Sequence, residues 1–561
     1  MRTDSVVKIP FEKGKITFQM HKGKSYVYFE RGRDYKPDKK YNVPIRKCIG
    51  RRDSSDEAMM YPNDNFVRLF PDITPSGGRG TDKRSCCLRI GGFIVIQKIL
   101  KYYSIPEILE DYFKPKDAGL FLDLVAYSII CESNACQYYP DFAYNHPLFS
   151  HGMHIYSDSS VSAFLNSVTV DQSVAFLNTW NASRDHREKI YISYDSTNKN
   201  CQAGDIEMVE FGHPKVNAGL PVINYSMAYD TCNRVPLFYE YYPGSIVDVS
   251  QLQIMLDKAH AYGYRHVGFI LDRGYFSKGN IQFMDAKGYD FVLMVKGKKD
   301  LVRNLVHSRH GTFENKRSCA IRAYRAYGTT VRCKLYEDDI KERYFHLIYS
   351  DKKRYAEREA IESKIERMAK ALKKLEGTKV TLPDAYAKYF NPIYNDTGNL
   401  LFCRENAKAI EDEIDLCGYY VIVTSERMMA QEALELYKSR DTSEKLFRGD
   451  KSYLGNKSLR VMTDDSASAK IFVEFVAMIV RCRIYTLLKD EMLRNNAKSN
   501  YMTVPASLRE LEKIEMVRMS NGRYYLSQAL TATQKAILCA FQMDSDHVHC
   551  QANAIADTLK Y

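Results

Sequence analysis

Between Ser183 and Lys189 the apolar residues stop recurring at threes and fours and begin to recur at twos, and the text that follows admits few folds. "KIYISYDSTN" reads as a strand ending in Asp195. "VINYSMAYDTCNRVPLFYEYYPGSIVD" reads as two more strands, joined by a turn at Asp230 to Asn233. An amphipathic helix, "VSQLQIMLDKAHAYGY", comes next, then a strand "HVGFILD" ending in Asp272. A helix that Ser277 caps and Gly288 closes follows, and then a fifth strand, "YDFVLMV". Three strands followed by alternating helices and strands predict an α/β fold with a mixed central sheet and helices on its faces.

The pattern is suspended after Lys298. "CAIRAYRAYGTTVRCKLYE" and "RYFHLIYSD" read as strands, and "RYAEREAIESKIERMAKALKKLEG" as a long charged helix. Its Ile361, Ile365, Met368, Leu372 and Leu375 form a narrow apolar seam. "GYYVIVTS" then resumes the sheet. The domains expected are a basic β-rich region over 1–90, a helical region of its own over 91–186, and a core over 187–298 and 416–490 interrupted by an insertion over 299–415. A C-terminal helical region over 491–561 would be available for protein contacts.

Charge narrows the partner. The chain of 561 residues carries a formal +12, and residues 1–52 hold 15 Lys or Arg against 5 Asp or Glu. Basic strands interleaved with Tyr and Phe suit a polyanion, most simply the DNA backbone. The 14 cysteines are scattered, with no paired C-x-x-C spacing, and no signal peptide is read at the start; both favour a reducing cytosol. His547, His549 and Cys550 form the one compact soft-ligand cluster, without a second half. No apolar run reaches the roughly 18 residues of a membrane span.

Asp195 and Asp272 each follow a strongly apolar strand, where a sheet delivers side chains to a common rim. Further on, "YKSRDTSEKLFRGDK" places Tyr437, Arg440, Glu444 and Lys451 within about 60° of one another on an ideal helix. A Glu returning to the sheet that carries two Asp residues makes three carboxylates. These would repel one another unless cations sat among them, and all-oxygen ligation selects magnesium or manganese. Two such ions about 4 Å apart suit phosphodiester displacement.

"YDSTN", "LDRGYFSKGNI" and Y-x-x-R-x-x-x-E-x-x-x-x-x-x-K together resemble the DDE transposases of bacterial insertion sequences, in the branch carrying the Y-R-E-K signature. The resemblance covers most of Tyr191 to Leu488, and "YVYFERGRDYKPDKKYNVPIRKCIG" is similar to that family's N-terminal segment. It implies a ribonuclease H-like mixed-sheet core, a β-rich plus helical insertion and an N-terminal β/helical DNA-binding region. It also implies cut-and-paste transposition, with Asp195, Asp272 and Glu444 catalytic and holding two Mg2+ ions, for which Mn2+ substitutes. Tyr437, Arg440 and Lys451, with Arg448 and Arg273 beside them, are the expected DNA contacts. Double-stranded DNA, as terminal inverted repeats and as target, is the expected partner, with a dimer at synapsis, no membrane, and a cytoplasmic, nucleoid-associated location. A catalytically inactive DNA-binding derivative and a metal-dependent nuclease without strand transfer are the alternatives.

Overall fold

The computed structural model describes residues 6–54, 56–73, 84–184, 188–201, 203, 206–212, 220–246, 248–296, 299–441, 445, 447, 449, 451, 454–455, 457–496, 499–519 and 522–559. The chain forms two compact units, Met1–Phe176 with Asp450–Tyr561, and Leu177–Gly449.

The first unit opens with five strands, β1 (Val7–Lys8), β2 (Ile16–His21), β3 (Lys24–Lys36), β4 (Tyr41–Arg52) and β5 (Met59–Pro62). They form an antiparallel sheet in the order β1-β5-β4-β3-β2. Its small core joins Val27, Ile49 and Met60 to Phe66 and Phe70. The last two are supplied by the helix Asp64–Leu69 and its C-terminal cap, and the Asn63 side chain accepts from the Asn65 and Phe66 N–H groups at the N-terminus. The basic segment is therefore part of a folded β element that closes at about Phe70. Downstream, β6 (Cys87–Arg89) pairs with β18 (Glu515–Arg518), which also carries β19 (Tyr524–Leu526).

The helical region expected to stand alone does not. The helices Gly91–Tyr102, Pro115–Cys131 and Asp158–Ser167 pack on the helix Asp464–Arg494, which the residue pattern divided between the core and the C-terminal region. Phe472 of that helix meets Phe121 at 4.7 Å and Phe176 at 5.1 Å between ring centroids. The helix is buried on every side over Ser466–Cys482, so it shows no amphipathic stripe that would assign it to one neighbour. No single helix among the described residues is long and apolar enough to cross a membrane.

The second unit is built on a nine-stranded mixed sheet. Five strands come first in the chain, β7 (Ile190–Asn200), β8 (Val222–Asp230), β9 (Val235–Pro243), β10 (Val267–Leu271) and β11 (Asp290–Met294). Four follow, β12 (Ala320–Ile321), β13 (Ala326–Cys333), β14 (Arg343–Tyr349) and β17 (Tyr419–Thr424). Their order is β12-β13-β14-β17-β11-β10-β7-β8-β9. β10 runs parallel to both β7 and β11, and the remaining neighbours are antiparallel. Local signals behave as read. Asp230 Oδ1 accepts the Cys232 and Asn233 N–H groups in the β8–β9 turn. Ser277 Oγ caps the helix Lys278–Lys287 through the Asn280 N–H, and Gly288 closes it at φ 72°.

The insertion is smaller than expected. β12, β13 and β14 belong to the central sheet, because β14 pairs along β17 from Tyr344↔Thr424 to Tyr349↔Tyr419. What stands apart is the helix Asp351–Lys373, a hairpin of β15 (Phe390–Tyr394) and β16 (Leu400–Glu405), and the helix Ala407–Asp415. Ile365, Met368 and Leu372 of the predicted seam close this satellite core with Tyr389, Phe390 and Ile410, while Leu375 stays 38% exposed.

Candidate active site

The site begins with a mismatch of strand lengths. β8 pairs with β7 from Ile192 to Asn200, whereas β10 pairs with it only as far as Tyr194↔Leu271. Asp195 is thus in mid-strand, a correction to its expected place at a strand end. β7 runs on because β8 continues to satisfy its backbone hydrogen bonds. Towards β10, however, Asp195 does stand at a rim. Asp272 and Asp195 are each the next residue after the last parallel pair, Tyr194↔Leu271, with Asp272 just past the end of β10.

Both carboxylates belong to one face of the sheet. Side chains alternate along a strand, so Asp272 shares the face of Ile270, and Asp195 that of Ser193 and Tyr191. Ile270 is in the buried cluster that the helix Ala430–Ser439 covers with Ala430, Leu434 and Tyr437, and Tyr191 packs against it. In a strand otherwise almost wholly buried, Asp195 is partly exposed.

The covering helix delivers the cation. Regular helix ends at Ser439, whose hydroxyl donates to the Leu436 carbonyl at 2.6 Å, and Arg440 caps it in the αR region. Arg440 Nη1 donates to Asp272 Oδ1 at 2.8 Å, its side chain 12% exposed, and its guanidinium lies 5.3 Å from the Tyr437 ring centroid. Asp272 Oδ1 also accepts the Arg273 N–H at 2.7 Å, capping the short turn Arg273–Tyr275. Both donors fall on Oδ1, so among the described residues Oδ2 has no protein donor. Asp195 Oδ1 accepts the Ser196 N–H at 2.9 Å.

The expected single helical face from Tyr437 to Lys451 lies partly outside the described residues, and Arg440, at the end of the regular helix, keeps αR dihedrals. Asp441, Lys445, Phe447, Gly449 and Lys451 are helical beyond it. Tyr437 is 4% exposed and forms part of the core, so its ring supports Arg440 from beneath. Arg273 is exposed beside Asp272, and Lys451 belongs to the first unit. Glu444 and Arg448 lie outside the described residues. The structure therefore pairs Arg440 with Asp272, and the parallel β7–β10 ladder stops one residue before Asp195 and Asp272. Carboxylates are hard oxygen donors, which suit magnesium or manganese better than a soft metal.

Phe447 was not singled out from the sequence. It is 5% exposed and meets Tyr225 of β8 edge-on at 6.0 Å, tying the segment after Arg440 to the sheet. As the lone aromatic residue among the charges of "SEKLFRGD", it was legible as an anchor. His547 and His549 lie in the helix Ser545–Thr558, where His547 pairs with the capping Asp544 at 2.7 Å. Among the described residues, no three His, Cys, Asp or Glu side chains are grouped to hold a metal.

A family model described as a transposase DDE domain matches residues 193–480. Among solved structures, the chain is similar to the piggyBac transposase synaptic complex with hairpin DNA at 9% identity, covering 89% of this chain and 81% of that one with a TM-score of 0.33. It is also similar to the Mos1 transposase paired-end complex with left transposon end at 13% identity, covering 40% of this chain and 64% of that one with a TM-score of 0.14. No curated protein matches the sequence.

Proposed function

The chain belongs to the transposase DDE domain family, and from that premise we propose that it is an active cut-and-paste transposase of the bacterial insertion-sequence branch with the Y-R-E-K signature. The observation that supports catalysis is the ion pair of Arg440 with Asp272, one residue past the parallel pair Tyr194↔Leu271 that also precedes Asp195. On this reading the catalytic unit has a ribonuclease H-like sheet, and Glu444 completes the acidic set.

Besides the cut in the complementary strand that frees the element, the reaction is two successive displacements at phosphorus. In the first, a water oxygen bonds to the phosphorus at the element end, and the bond to the 3′ oxygen breaks, freeing a 3′-hydroxyl. In the second, that hydroxyl attacks a phosphate of target DNA; a new phosphodiester forms and a target 3′-hydroxyl leaves. Asp195, Asp272 and Glu444 would hold a pair of magnesium ions, or manganese in their place, which supplies charge stabilisation at the phosphate and a more acidic water.

The chain's own part is placement. Arg440 offsets the charge of Asp272 and presents a planar fork of donors, a geometry that clamps a phosphate with two bonds. Tyr437 fixes the guanidinium from below. Lys451, Arg448 and Arg273 supply further phosphate contacts, and the basic N-terminal sheet provides affinity for the terminal inverted repeats. Two protomers pair the ends at synapsis.

The test uses the full-length protein and a plasmid carrying its reading frame with the native flanking DNA, in magnesium. Wild type should release the element and join it to a second plasmid, while Asp195→Asn, Asp272→Asn and Glu444→Gln bind the ends and cut nothing. A carboxamide variant that cuts at the wild-type rate would remove that residue from the mechanism. Cleavage without joined products would favour a nuclease.

A further inference from the structure

The N-terminal sheet contains a segment that its own core does not need. β2 accompanies β3 only from Lys24 to Phe29, and β5 accompanies β4 only from Gly50 to Arg52. Between these limits β3 and β4 continue as a pair by themselves, Gly32↔Ile45 through Lys36↔Tyr41, closed by a turn over residues 37–40. Five residue pairs at 3.4 Å each make a free ribbon about 17 Å long. No residue of this stretch belongs to the buried cluster of the sheet.

The ribbon leaves the sheet at a defined bend. The register shifts between Glu30 and Gly32, leaving Arg31 as the extra residue of a β-bulge, a feature that bends a strand and increases its twist. Glu30 sits at that point with its side chain 8% exposed, against Arg33 at 3.0 Å, Lys15 at 3.9 Å and Arg46 at 4.0 Å. The bend and two of the arginines are thereby held in place before any partner arrives.

Composition suits a polyanion on all sides. Residues 31–47 carry seven Lys or Arg against two Asp. Every residue from 31 to 42 is exposed, including Tyr35 at 57% and Tyr41 at 58%. Both edges and both faces lack cover among the described residues. An uncovered two-stranded edge invites self-pairing unless charge prevents it, and here the charge is predominantly of one sign.

The two faces differ in chemistry. Residues directly opposite in an antiparallel pair share a face, so Arg33, Tyr35 and Asn42 lie together, with Arg46 two residues beyond Pro44. Arg pairs bidentately with guanine and Asn with adenine at base edges. Lys39 and Lys40 at the tip and Lys47 at the base flank this face at positions suited to phosphates. The major groove of B-DNA is about 12 Å wide and admits a two-stranded ribbon.

We propose that the β3–β4 ribbon enters the major groove of duplex DNA and reads base sequence with Arg33, Asn42 and Arg46, while Lys39, Lys40 and Lys47 hold the backbone. This rests on the transposase reading above and adds the element that distinguishes the protein's own ends from other DNA.

The experiment uses the full-length protein and a library of randomised duplexes. Wild type selects a preferred duplex, and binding is then compared with a scrambled duplex of equal length and with the preferred sequence as duplex RNA. Arg33→Ala and Asn42→Ala should each reduce the preference for the selected over the scrambled duplex by roughly tenfold, with binding to the scrambled duplex changed less than about twofold. Lys39→Ala and Lys40→Ala should weaken both duplexes equally, each lowering the salt slope by about 0.9. Replacing residues 33–44 with an Asn-Gly turn should leave the melting temperature unchanged and abolish the preference.

If the shortened protein selects the same sequence as wild type, the ribbon does not read DNA, although plasmid cleavage would still uphold the transposase reading. Equal binding of the RNA duplex, whose deep and narrow major groove side chains cannot read, overturns groove reading as well. Wild type that retains no duplex and cuts no plasmid overturns both.

Discussion

Arg440 and Asp272, 168 residues apart in the chain, form a 2.8 Å ion pair at the end of β10, with the guanidinium 5.3 Å from the centre of the Tyr437 ring. The pair links the second aspartate to the helix that leads towards Glu444. On the function proposed above, Arg440 would restrain the carboxylate before DNA binds and clamp a phosphate afterwards.

Arg440→Lys keeps the charge but loses the planar fork. We expect DNA cleavage to fall roughly tenfold or more with single-end binding within about twofold of wild type. Parallel binding and cleavage assays check this, and a variant that cuts as wild type would make the pair structural only.

Tyr437 separates packing from chemistry. Tyr437→Phe removes one hydroxyl and should cost about 1 kcal/mol. Tyr437→Ala empties a buried position between Leu434 and the sheet and should cost about 3–5 kcal/mol of stability. Urea unfolding of the full chain measures both; equal effects would contradict the buried placement.

Acid should loosen the catalytic sheet through His346. Fully buried on β14, its ring bonds Thr330 Oγ1 at 2.9 Å and Thr424 Oγ1 at 3.0 Å, and burial lowers its pKa from 6.5 to about 4. Between those values the unfolded chain binds the proton and the folded chain does not. Folding is therefore unpenalised by this group above pH 6.5, and stability is lost as pH falls towards 4, by roughly 3 kcal/mol at most. His346→Gln should flatten this part of the stability profile; an unchanged slope over that window would assign it to other groups.

Removal of residues 1–73 should take away the whole N-terminal sheet with its Phe66–Phe70 closure. We expect DNA affinity to fall, and the dependence of log K on log salt to flatten by about 0.9 for each phosphate that the sheet no longer neutralises. Ending the deletion at Arg52 instead would strand β5 and expose Phe66, so aggregation of that shorter deletion, but not of the longer one, is the expected outcome on size-exclusion chromatography.

The elements legible from residue order were those stabilised locally. The turn at Asp230, the cap at Ser277, the left-handed Gly288 and the strand ending just before Asp272 each depend on neighbours a few residues away, and their sequence signals sit beside them. Arg440 and Asp272 stood out in the sequence, although nothing in their spacing said that they would pair. What residue order could not decide was pairing. β14 could be assigned to the insertion until its register with β17 placed it in the central sheet, and the helix Asp464–Arg494, buried all round over most of its length, carried no stripe to name its neighbours. The place of Asp195 and Asp272 just past the parallel ladder arises because β10 stops at Leu271 while β8 holds β7 for six residues beyond Tyr194. These are contacts between distant segments, chosen by complementary burial and by satisfaction of backbone hydrogen bonds across the whole sheet, so only the tertiary structure decides them.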